Sequence, residues 1–176
     1  MRSLGSIILS IFGAIWWIAG GVGCDWPLIL AYVIPFITTL VLVVTALRSP
    51  EHTEPESDQN GRRLGRLVGI ASSVEGVAIL VAVNVLANTG TQEYTAPAIA
   101  IIVGLHFLPL ARWLPAKLYY GTSVVLIGLG VVGIWISGAL LRLEVVCSGS
   151  AISLWATSVL VLTAKPKAHI GIGHAA

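Results

Sequence analysis

Charge is what this sequence has least of. Lysine, arginine, aspartate and glutamate make up 10% of its 176 residues, against about a quarter in an ordinary soluble domain. A water-facing globular surface cannot be assembled from that supply. Cysteine is down to two residues and histidine to four. None of them falls at the spacing of a zinc site, and His169 and His174 near the carboxyl end are too few to hold a metal. The sequence also lacks a P-loop, a Ser-His-Asp arrangement and a dinucleotide fingerprint. A net charge of +2 is too small to point to nucleic acid. These absences lead to the expectation of a protein that is not an enzyme, needs no cofactor and binds no nucleic acid.

What the sequence does have is apolar length. Hydrophobic residues make up 56% of it, and mean hydropathy is +0.92. Runs of about twenty apolar residues, enough to cross a ~30 Å hydrocarbon core, recur six times. The expected architecture is an all-α membrane protein, a six-transmembrane-helix bundle forming one domain embedded in the lipid bilayer. Its spans lie near residues 4–22, 27–47, 66–88, 95–111, 118–141 and 145–164, leaving no length for a soluble domain. The first run is longer than the core of a secretory signal and has no small-x-small cleavage site. Gly21-Val22-Gly23-Cys24 resembles a lipoprotein cleavage site but lacks the usual leading Leu, so the run is read as an uncleaved span.

Pro27 suits a helix start, where its missing N–H costs nothing. Pro35, inside the second span, should kink the helix and free the carbonyl of Ala31. Residues 48–65 hold half of the acids in the chain and read as a solvated loop. Arg2, Arg48, Arg62, Arg63, Arg66, Arg112, Lys117, Lys165 and Lys167 would share one side of a six-span topology, with Arg142 alone on the other. That bias places both termini in the cytoplasm and the protein in the cytoplasmic membrane. Cys24 and Cys147 then both fall on the oxidising side, where a bridge between them would persist.

One ionisable residue sits deep inside a span. Glu75 is nine residues beyond Arg66, about 13 Å in at 1.5 Å per residue. An intramembrane acid costs several kcal/mol and is a functional-site candidate by default. His106 lies about 9 Å from the same edge, six residues before Arg112. A Glu–His pair across the third and fourth spans is therefore expected to be within geometric reach. Pro109 leaves the carbonyl of Leu105 without its helical donor, beside His106. Ser72 and Asn84 complete the polar set of the third span. In one reading these residues line a path for a proton or small substrate; in the other, a protonated Glu75 only fixes helix packing.

Small residues suggest how the helices meet, since lipid gives them little hydrophobic drive to associate. The stripes are Ser6, Ser10, Gly13 and Gly20 in the first span, Gly65, Gly69, Ser72 or Ser73, and Gly76 in the third, and Gly130, Gly133 and Ser137 in the fifth. The third-span stripe would turn Glu75 inward. Trp26 and Trp113 fit interfacial anchors, while Trp135 and Trp155 lie deeper and are read as bulk packing, with the lining of a pocket as the alternative.

At IVGLHFLPLARWL, residues 102–114, the chain resembles small multi-pass bacterial membrane proteins of no assigned function. Gly104, His106, Pro109 and Ala111 carry that resemblance. It implies a bacterial inner-membrane setting and brings no activity with it. The expected function is that of a small transporter or transport-associated protein for an ion or small molecule, with Glu75 as the proton- or cation-responsive group. Its size implies that two copies would be needed to enclose a path. The alternative is an accessory or sensor protein whose readout is the loop 48–65.

Overall fold

The computed structural model describes residues 2–48, 58–113 and 118–163. The stretches 49–57 and 114–117, and the tail from residue 164 that carries His169 and His174, lie outside the described residues. Six helices follow in order: α1 (Arg2–Gly23), α2 (Ile34–Arg48), α3 (Asp58–Asn88), α4 (Thr95–Trp113), α5 (Leu118–Trp135) and α6 (Ala139–Thr163). With the turns that precede α2 and α4, all six are long and apolar enough to cross a membrane.

Successive helices run antiparallel. The turns around residues 24–28, 89–94 and 136–138 gather at one end, here called the Arg142 end. Arg48, Arg63, Arg66 and Arg112 mark the other, the basic end. The core lies where α1 and α6 pack on each other and α4 packs on α5. Leu126, Val146, Ala100 and Ala151 are shut off completely there.

Polar and small side chains hold that core, as helices in lipid require. Ser6 Oγ and Ser10 Oγ of α1 lie 2.6 and 2.9 Å from Ser158 Oγ of α6. Trp155 Nε1 donates to the Ser10 carbonyl at 3.1 Å, and Thr39 Oγ1 of α2 donates to the same oxygen at 3.2 Å. Each such interhelical bond contributes on the order of 1 kcal/mol. Gly13 makes room for the Trp155 ring and Gly20 for Cys147. The α1 stripe thus works as the sequence suggested. Trp155 is spent on this seam, the packing role expected of it, whereas Trp135 is 83% exposed and packs in no core.

Three features depart from the expectation. Pro35 does not simply kink its helix: a π turn, Ile29–Val33, precedes α2, and Ile34 N–H bonds back to the Ile29 carbonyl. The wider turn absorbs the register shift that a missing proline N–H imposes. The fifth span ends at Trp135 rather than residue 141, because Gly138 breaks the chain at φ 107°, a conformation that glycine adopts without strain. Finally, α3 begins at Asp58, so the solvated loop expected over 48–65 is helical in its second half.

Candidate functional site

α3 is the least enclosed helix. None of its described side chains is buried, and it packs against α4 and the turn before α4. Its partly covered residues are Leu67, Val68, Ala71, Glu75, Ala78, Ile79, Ala82 and Leu86. They recur every three or four positions, which is one face of a helix. Gly65, Gly69 and Gly76 have nothing within 4 Å. The expected small-residue seam of this helix is therefore unused among the described residues. Glu75 faces inward for a different reason, which is its place on the stripe that meets α4.

There Glu75 Oε2 lies 3.5 Å from His106 Nδ1. The two side chains keep only 14% and 10% of their exposure. The imidazole also lies near the backbone of Ala71, one turn before Glu75, so His106 is seated against two points of α3. On its own helix the ring stands edge-on to Phe107, which stacks on Tyr119 of α5. A carboxylate and an imidazole at this separation can hold one proton between them. Moving or removing that proton changes the charge at the seam that holds α3 to the bundle.

The other sequence candidates do not join them. Ser72 is exposed. Asn84 is exposed too and donates to the Leu80 carbonyl of its own helix at 2.8 Å, so it bridges no helices. Pro109 stays within α4. Cys24 and Cys147 are free thiols. Cys147 packs on Gly20, one turn short of Cys24, while Cys24 Sγ donates to the Leu140 carbonyl. Burial, then the Glu144 and Asp25 carboxylates, push the Cys24 thiol up from its ordinary value. Its thiolate, the reactive form, is thus scarcer at neutral pH than in a free thiol. Alkylation of Cys24 in the folded protein should therefore be slow at neutral pH and quicken as pH rises. Denaturation without reductant should expose two titratable thiols, and a count of zero would establish the bridge.

Sequence reasoning missed a second cluster, at the Arg142 end. Arg142 is buried at the start of α6. Its Nε and Nη2 each donate at 3.0 Å, to the carbonyls of Gly133 and Ile136. Nη1 lies 3.1 Å from Glu93 Oε2, and the Tyr94 ring covers the guanidinium, with 4.1 Å from its carbon to the ring centroid. The only signal in the sequence was that Arg142 is the sole basic residue on its side.

Six helices of this length and apolarity suggest a multi-pass membrane protein. The chain belongs to a family of unknown function, DUF7010, which it matches over residues 3–164. No curated protein and no solved structure matches it.

Proposed function

We propose that this is a small proton-responsive protein of the bacterial cytoplasmic membrane, acting as a transporter or as part of a transport system. Glu75 is its titrating group and His106 the partner that shares its proton. The observation that carries this reading is the 3.5 Å approach of Glu75 Oε2 to His106 Nδ1 across the α3–α4 seam. A structural acid would be equally well served by a hydroxyl or amide partner, whereas an imidazole can itself take up the proton. The basic end, with Arg48, Arg63, Arg66 and Arg112, faces the cytoplasm in this reading. At the opposite end Arg142 is paired with Glu93.

The test uses protein reconstituted in liposomes loaded with a pH-sensitive dye, under an imposed proton gradient. Wild-type protein should dissipate the gradient faster than empty liposomes. Glu75→Gln should lower that excess rate about tenfold or more, in the range of a lost proton-transfer group (~10²–10⁴) or somewhat below it, with expression and assembly intact. Full flux in Glu75→Gln, or none in the wild type, would remove the transporter reading.

A second reading, a pH sensor without flux, is favoured by the loose seating of α3 and by the two cavities at the Arg142 end. Neither cavity is lined by Glu75 or His106. It requires the distance between spin labels at Val81 of α3 and Val132 of α5, both exposed, to change with pH in the absence of flux. A constant distance would exclude it.

A further inference from the structure

At the Arg142 end, α1, α4 and α6 leave a cavity of about 320 Å³ between them. That is at the lower end of the volumes small-molecule sites occupy, ~300–1,000 Å³. Trp16, Ala96, Ile99, Leu140 and Leu143 supply apolar wall. Gln92, Glu93 and Thr95 bring three polar side chains together on one short segment, and the Trp16 indole N–H and the Cys147 thiol are the remaining polar groups of the lining. An apolar chamber with polar groups converging from one side is the ordinary form of a site for an amphipathic molecule.

The neighbouring charges decide which kind of head group fits. Arg142 is not open to an anion. The Arg142 side chain is 5% exposed, two of its nitrogens are committed to carbonyls, the third faces Glu93, and Tyr94 covers its plane. Glu93 is different. One of its oxygens approaches Arg142, but 45% of the side chain is still exposed. The arginine does not depend on it for position, since Gly133, Ile136 and Tyr94 already hold it. Glu93 can therefore accept a further hydrogen bond without the turn coming apart. A charged donor there makes a bond roughly twice as strong as a neutral one.

We propose that this cavity is a binding site for a small apolar molecule carrying one protonated amine. The hydrocarbon body lies among Trp16, Ile99 and Leu143, and the ammonium donates to the Glu93 carboxylate. The proposal stands on this cavity and does not rest on the Glu75–His106 pair.

Three probes of similar size and different charge test it: 1-naphthylmethylamine, 1-naphthalenemethanol and 1-naphthoate. Binding to purified protein in detergent micelles is followed by calorimetry against protein-free micelles. The amine should bind saturably, about tenfold or more tighter than the alcohol, and the carboxylate should not bind. Glu93→Gln should bring the amine down to the level of the alcohol. Ala139→Trp, which adds bulk to the cavity lining from an exposed position, should abolish both. Equal affinity for all three probes would overturn the proposal. So would uptake no greater than that of micelles alone, as when lipid or detergent fills the chamber, or amine binding that survives both substitutions.

Discussion

Arg142→Met is expected to destabilise the protein by about 2–4 kcal/mol, from the loss of two hydrogen bonds to a charged group and one cation–π contact. The helical reason is that the last carbonyls of α5 have no donor within their own helix. Gly138 turns the chain away before a further turn can supply one. Arg142, four residues on, reaches back to the Gly133 and Ile136 carbonyls with a planar fork. Methionine fills much of the same space and leaves both oxygens unpaired. Arg142→Lys should rescue little, because one ammonium on a flexible stem does not reproduce that fork. Glu93→Gln should cost less than about 1 kcal/mol, since the half-exposed carboxylate contributes a solvent-screened pair. Unfolding in mixed detergent micelles, followed by tryptophan fluorescence, measures all three. Equal losses for Arg142→Met and Glu93→Gln would mean that the ion pair, and not the capping of α5, is what stabilises this end.

Gly130→Val is expected to cost about 1–3 kcal/mol or more, as overpacking in a tight interface does. A Cβ at Gly130 would lie 2.7 Å from the Pro97 carbonyl oxygen and 3.1 Å from the Ile101 backbone nitrogen. Both are backbone atoms of α4, so no side-chain rotation relieves the contact. Further along the same interface Gly104 meets the Ile127 backbone nitrogen at a would-be 2.9 Å, and its carbonyl accepts from Ser123 Oγ at 2.6 Å. The helices would have to separate along their length, with loss of that bond. Gly69→Ala is the contrasting substitution. It has open space around it, and a helix-interior alanine should be neutral or stabilising by up to roughly 1 kcal/mol. Clear destabilisation by Gly69→Ala would reveal a second copy packed on α3.

The two glycine stripes look alike as sequence, and their different fates explain how much of this molecule could be read in advance. Gly130 and Gly65 are each followed by another small residue three or four positions on. A stripe only becomes a seam when another helix lies against it, and which helix does so depends on the arrangement of all six. The Glu75–His106 approach was within reach of sequence reasoning, because depth along a helix follows from rise per residue and both residues could be counted from basic edges. The Arg142 cluster was not, since its partners come from the turn after α3 and the end of α5, and nothing local ties those segments together.

Composition and run length by themselves determined that this chain holds six stretches long and apolar enough to cross a membrane, with one acid, Glu75, deep in the third of them. Both follow from transfer free energies, which depend on residue type and little on neighbours. Tertiary structure decided which faces those helices present to each other. It set α3 against α4 with His106 opposite Glu75, left the stripe of Gly65, Gly69 and Gly76 open among the described residues, left the two thiols unbonded, and opened a cavity beside Glu93. In lipid the apolar faces of a helix are nearly equivalent to the solvent. Their pairing is therefore settled by close fits and a few polar contacts that form only once the bundle is assembled.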